Sequence, residues 1–240
     1  MEKKFLICGY HTVIEALKNS KRKVSKVYVS DLKKIPENFK NITCLVKKNF
    51  FEKKFSKYNL SHQNIAAEVT DLPILNLKLA LINKKIKNVA ILDGISDPGN
   101  IGSIIRLCTG FLIDSLIIEK KYFKSESPVI AKIASGGLEH TNIYKVTNLN
   151  QSIRLLKENN FWIVGLDEKS NQSIYKHTWA EFNAIILGSE GHGMKRITKL
   201  NCDHLLKIPM SNKISSINVS TSAAICFSNV FNGKSFKTLE

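Results

Sequence analysis

The five cysteines of this 240-residue chain, Cys8, Cys44, Cys108, Cys202 and Cys226, are scattered singly, and no C-x-x-C occurs. That excludes a disulfide framework and a thiol redox motif, and points to reduced, mostly buried thiols in a reducing compartment. Cys202 and His204 stand two apart, but no second pair completes a zinc site, so no metal is expected. No apolar run approaches the roughly 20 residues that cross a bilayer, and MEKKFLICGYH is too briefly apolar for a signal peptide. No membrane partner is expected, and the expected location is cytoplasmic, or an organelle matrix after removal of a leader. There is no internal repeat and no low-complexity segment. Arginine is scarce as well, with four residues: Arg22, Arg106, Arg154 and Arg196.

What the chain has is positive charge. Its 36 basic and 20 acidic residues leave +16, which favours polyanion partners, RNA or DNA above all. Abundant lysine, asparagine and isoleucine also fit an AT-rich genome, so the charge supports a nucleic-acid partner modestly and each arginine becomes more informative. The hydrophobic fraction of 43% is enough for a real core.

Residues 1–72 read as a small basic α/β unit. Val13, Ile14 and Leu17 mark a helix over 11–19, Val24–Val29, Ile42–Val46 and Ile65–Val69 read as strands, and Asn49–Tyr58 as a basic amphipathic helix with Phe51 and Phe55 four apart. Its lysines are either a solvated face or an RNA-docking surface, and the absence of catalytic machinery favours docking. Residues 73–87 form a linker with a helix from Leu77 to Lys87. From 88 to 240 strands and helices alternate, which predicts a mostly parallel sheet covered on both faces. Strands are expected at Val89–Asp93, Ser115–Glu119, Ile143–Val146, Phe161–Leu166, Ala184–Leu187 and Leu205–Ile208. Helices are expected near Ile101–Phe111, Ser127–Gly136, Leu149–Asn160, Lys195–Leu200 and Val219–Asn232.

Ligands in such sheets sit at the carboxyl ends of strands, and three strand ends carry polar loops. In LDGISDPGNIGSIIR a Pro-Gly turn precedes a helix starting near Asn100, and Arg106 lies one turn beyond Gly102. Arg106 is either a surface arginine or a cation meeting an RNA phosphate or a carboxylate. AIILGSEGHGM is neither a P-loop, a dinucleotide fingerprint nor a nucleophile elbow. It is a loop whose backbone can bind a ligand, with Glu190 placed to hold loop N–H groups and His192 an incidental polar residue. IPMSNKISSINVSTSAAICF reads as a strand end, a polar loop without glycine, and an apolar helix capped by Asn218, Ser220 or Thr221.

In order, NIGSIIR, ILGSEGHGM and IPMSNKISSINVSTSAAICF resemble the three motifs of the SpoU/TrmH group of SPOUT-class RNA 2'-O-ribose methyltransferases. The likeness runs through nearly the whole chain. CGYHTVIEAL and SHQNIAAEV are similar to the N-terminal domain of the RlmB-type subgroup, which methylates a guanosine of bacterial 23S rRNA. The resemblance implies an α/β fold with a parallel sheet and a C-terminal trefoil knot, plus a small N-terminal RNA-docking domain. It implies S-adenosylmethionine as cofactor, held against Leu187, Gly188, Gly191, Ile208, Pro209, Met210, Ser216, Ile217 and Asn218, and an obligate homodimer with a shared site.

The same resemblance makes Arg106, Asn100, Glu190 and Asn218 the catalytic set. Arg106 corresponds to an arginine often described as a general base. A guanidinium stays protonated at neutral pH, so clamping a phosphate and stabilising a developing alkoxide is the easier role. The implied substrate is a hairpin loop of large-subunit rRNA, where 2'-hydroxyls are accessible. tRNA methylation, an antibiotic-resistance rRNA methyltransferase and a non-catalytic RNA-binding or ribosome-assembly protein stay as alternatives. A dinucleotide-dependent enzyme is disfavoured by its glycine spacing.

Overall fold

A computed structural model describes residues 3–83 and 86–235, the last two by backbone alone. Along the chain run β1 (Lys4–Cys8), α1 (Tyr10–Lys18), β2 (Val24–Val29), β3 (Thr43–Leu45), α2 (Asn49–Phe55), β4 (Ile65–Thr70) and α3 (Leu77–Ile82). Then come β5 (Asn88–Asp93), α4 (Pro98–Gly110), β6 (Ser115–Glu119), α5 (Pro128–Ala134), β7 (Asn142–Val146) and α6 (Leu149–Glu158). The chain ends with β8 (Trp162–Leu166), β9 (Asn183–Gly188), α7 (Arg196–Leu200), β10 (His204–Leu206) and α8 (Val219–Ser235).

Two compact units emerge. One joins Met1–Pro73 to Lys124–His140, and the other joins Ile74–Phe123 to Thr141–Glu240. The stretch from 88 to 240 is therefore not one unit, because the segment carrying α5 packs with the N-terminal part.

In the first unit a four-stranded mixed sheet runs β1-β4-β2-β3. Strand β1, unexpected from the sequence, pairs antiparallel with β4 from Lys4↔Thr70 to Cys8↔Ala66. Period-two alternation sends its side chains to opposite faces. Cys8 and Ala66 meet Phe51 and Phe55 of α2 on one face, and α1 and α5 pack against β1. The segment around α5 is fastened by charge. Arg22 Nη2 lies 2.7 Å from Glu139 Oε1, both side chains 3% exposed. Arg22 Nε donates to the same carboxylate, Arg22 Nη1 donates to Thr70 O, and Asn19 Nδ2 donates to Glu139 Oε2.

The second unit holds a six-stranded sheet in the order β10-β8-β9-β5-β6-β7, parallel throughout. Its central strands are apolar on both faces, as a doubly covered sheet requires. Ile91, Ile186 and Ile163 join α3 and α6 residues in one cluster. The direction of growth along the sheet reverses between β9 and β5, which puts the crevice for a ligand at their carboxyl ends.

Three expected boundaries shift. Helix α4 starts at Pro98, not near Asn100, because Asp97 caps it through the Asn100 N–H at 2.7 Å and proline occupies its first turn. Arg106 is therefore well inside the helix. Helix α3 ends at Ile82, where Asn83 caps it; the expected continuation to Lys87 crosses residues 84–85, outside the described residues. Strand β10 ends at Leu206, so Ile208 belongs to the following loop.

Candidate functional site

A cavity of about 590 Å³ opens at the carboxyl ends of β8, β9 and β10. That is within the range of about 300–1,000 Å³ typical of pockets for small organic ligands. Of the nine residues expected to hold a cofactor, Leu187, Gly188, Gly191, Ile208, Met210, Ser216, Ile217 and Asn218 line it. Pro209 is absent from the lining. Glu190 and His192 line the cavity too; Asn100 and Arg106 do not.

The loop after β9 has its shape from glycine. Ser189 and Gly193 exchange backbone hydrogen bonds of 3.1 and 2.8 Å, closing a tight turn with Gly191 at φ 79° and Gly193 at φ 65°. A Cβ on Gly188 would lie 2.3 Å from Gly193 C and Met194 N, so the turn folds back directly over that position. Beyond it, Lys195 N–H donates to Asp93 Oδ2 at 2.8 Å. Lys195 Nζ lies 3.1 Å from Asp93 Oδ1 and 3.2 Å from Glu119 Oε2. Asp93 is buried at the end of β5, and its Oδ1 sees the ammonium off the hydrogen-bond direction. Burial works to lower the Lys195 pKa, but the two carboxylates outweigh it and hold it above the ordinary lysine value. The loop is thus pinned at both ends.

Three residues from three motifs meet. Asn218 Nδ2 donates to Glu190 Oε1 at 2.6 Å and to Asn100 Oδ1 at 3.0 Å, and Asn100 Nδ2 donates to the same Glu190 oxygen at 3.0 Å. Asn218 also settles which residue caps α8. Its Oδ1 accepts from Ser220 N–H at 2.8 Å and from the Ser220 hydroxyl. One side chain therefore starts the last helix and closes a hydrogen-bonded triangle with residues 28 and 118 positions away. Arg106 is not part of the triangle. It is exposed on α4 with no hydrogen bond or ion pair among the described residues.

The wall after β8 was not expected. Leu166, Asp167, Glu168 and Lys169 line the cavity, with Lys199 beside them. Lys199 Nζ pairs with Asp167 Oδ2 at 2.7 Å. Burial alone would raise the Asp167 pKa, but Lys199 and the Lys169 N–H hold it below the usual carboxylate range. No glycine or motif marks this loop, yet the carboxyl-end rule that found the other loops applies equally to LDEKS. Among the described residues there is no cluster of three or more metal-binding side chains, and no helix is long and apolar enough to cross a membrane.

Two family profiles match the chain. That of the SpoU rRNA Methylase family covers residues 87–228, and that of RNA 2'-O ribose methyltransferase substrate binding covers residues 6–75. A Staphylococcus epidermidis protein named for the TrmH family of tRNA/rRNA methyltransferases is 34% identical over 237 residues, 94% of each chain. An uncharacterized tRNA/rRNA methyltransferase of Synechocystis is 30% identical over 243 residues, 96% of this chain; the chain spans 63% of that relative's length. Among solved structures, the SpoU methyltransferase AviRb from Streptomyces viridochromogenes, in complex with AdoMet, matches with a TM-score of 0.79. The match covers 95% of this chain and 89% of that one at 17% identity, a likeness of fold.

Proposed function

Because the chain belongs to the SpoU/TrmH family of RNA methyltransferases, we propose that it methylates a ribose 2'-hydroxyl of RNA with S-adenosylmethionine as donor. The target we infer is a guanosine in a hairpin loop of large-subunit rRNA, the RlmB-type reaction. The observation that carries this reading is the triangle of Asn100, Glu190 and Asn218 beside a cavity at the carboxyl ends of the strands.

The residues present fit the cofactor. Leu166, Leu187, Leu206 and Ile208 offer an apolar wall suited to a flat heterocycle, and Glu168 and Glu190 offer carboxylates to a cationic ligand. When bound against Leu187, Ile208 and Met210, S-adenosylmethionine would supply a methyl group activated by its positive sulfur. The protein's share is orientation and charge. Asn218 fixes the start of α8 and, with Asn100, holds the Glu190 carboxylate in one direction. Lys195 and Asp93 anchor the loop that carries it. Arg106 serves as a cation for the substrate phosphate and the developing alkoxide.

Arg106 is exposed and outside the cavity lining of its own chain, which supports a homodimer in which it serves the partner's site. A knotted C-terminal segment is supported by the 208–218 loop and the loop after β9 lining one cavity. The five free cysteines suit the cytoplasm.

The test is transfer of labelled methyl from S-adenosylmethionine to rRNA and, separately, to tRNA, both from cells lacking the enzyme, with Arg106→Ala in parallel. Label mapped to a 2'-O-methylguanosine of large-subunit rRNA, lost in the variant, is the expected result. Label on tRNA overturns the target and keeps the chemistry. Absence of both label and cofactor binding overturns the enzymatic reading.

A further inference from the structure

Several cations of the first unit are matched by carboxylates. Lys18 pairs with Glu15 at 2.9 Å, Lys3 with Glu126 at 2.8 Å, Lys4 with Glu68 at 3.2 Å, and Arg22 is buried against Glu139. Around α2 the matching stops. Lys47, Lys48, Lys53, Lys54 and Lys57 are all exposed, and among the described residues none reaches a carboxylate.

These lysines are not spread evenly around the helix. Phe51 and Phe55 point into the core. At about 100° per residue, Lys53 and Lys54 then fall with Phe50 in one outward stripe about 100° wide, and Glu52 lies clear of it; Lys57 follows, exposed, in the short 3-10 turn Ser56–Tyr58 that continues the helix. Phe50 is held there by stacking on Tyr28, with ring centroids 4.8 Å apart. Lys26 Nζ lies 5.7 Å from the Tyr28 ring centroid, which extends the positive surface onto β2. An unmatched array of like charges weakens the folded unit by self-repulsion and attracts a polyanion. Lysine ammonium groups contact phosphates as point charges and carry little base preference.

We propose that the outer stripe of α2 with Lys53 and Lys54, together with Lys57 in the turn after it and Lys47 and Lys48 at its entry, is the surface on which the first unit seats the phosphate backbone of the substrate RNA. Arg22 and the paired lysines take no part. This rests on the RNA methyltransferase reading and names the surface that delivers its substrate.

The experiment compares two full-length variants with equal net charge. One is Lys53→Gln/Lys54→Gln/Lys57→Gln; the other is Lys3→Gln/Lys4→Gln/Lys18→Gln. Affinity for a fluorescein-labelled RNA hairpin with a single-stranded loop is measured by anisotropy across a salt series, with S-adenosylmethionine binding as the folding control. Removing two or three phosphate-bound ammonium groups from a single strand should weaken binding roughly 10- to 50-fold near 0.15 M salt, and flatten the log–log salt slope by about 1.5 to 2. The other variant should stay within about twofold of wild type. Equal losses in both variants would show a bulk charge effect and overturn the proposal, as would no loss in the α2 variant. Preference of wild type for anionic vesicles over the hairpin would overturn it too. The α2-specific loss, in a protein that methylates no RNA, would retain the surface and sink the enzymatic reading instead.

Discussion

Replacing Glu139 by alanine tests the account of the first unit most directly. The substitution removes the acceptor of Arg22 Nε and Nη2 and of Asn19 Nδ2. It leaves a guanidinium 3% exposed at its side chain with Thr70 O as its remaining acceptor. Breaking one side of a buried pair costs about 3–5 kcal/mol, because the surviving charge stays out of water. Exposed surface pairs are in general worth about 0–1 kcal/mol. Urea unfolding followed by far-UV circular dichroism should show the loss. Trp162 and Trp179 both lie in the second unit, so tryptophan fluorescence should move less. The double variant Arg22→Met/Glu139→Leu should recover most of the stability, since no charge is then stranded. A single-variant cost below about 1 kcal/mol would refute the reasoning, as would a double variant no better than the single one.

Gly188→Ala should abolish cofactor binding measured by calorimetry, because its Cβ would collide with the backbone of Gly193 and Met194; unchanged affinity would mean the loop is free to move. Asn218→Ala should cost about 1 kcal/mol through the lost cap, visible in thermal melts. It should also lower kcat by about 10²-fold, the scale of losing one preorganised group, and a variant losing stability alone would remove Asn218 from the catalytic set. His177 is pushed below its ordinary value by burial and by His204. Its proton is bound more readily in the unfolded chain, so stability should fall as pH drops through about 6.5, the unfolded value. His177→Gln should flatten the Tm profile between about pH 5 and 7. An identical profile in the variant would assign that slope elsewhere.

The parallel sheet was legible because alternating apolar strands and helices leave few arrangements. Ser115–Glu119 was placed to the residue, and the neighbouring strands within one or two. The meeting of Asn100, Glu190 and Asn218 was legible only through motif order, since no local pattern brings residues so far apart in the chain together. Strand β1 escaped because five residues beside a charged end carry too little periodicity. The α5 segment has an ordinary amphipathic pattern, and periodicity cannot say which sheet it covers; the buried Arg22–Glu139 pair decides that, and pairing across 117 positions leaves no trace in spacing. The wall after β8 went unseen because its chemistry lies in ordinary charged residues and not in glycine.

The first unit's split composition also bears on how the chain is made. Ribosomes add about 5–20 residues per second, so the stretch between residues 73 and 140 takes about 3 to 13 s to synthesise. During that interval β1 and α1 have emerged without the α5 cover they finally pack against. Vectorial synthesis therefore leaves the N-terminal part waiting, with Arg22 lacking its carboxylate, while β5 and β6 are already being made. The first unit reaches its finished form only after part of the second has left the ribosome.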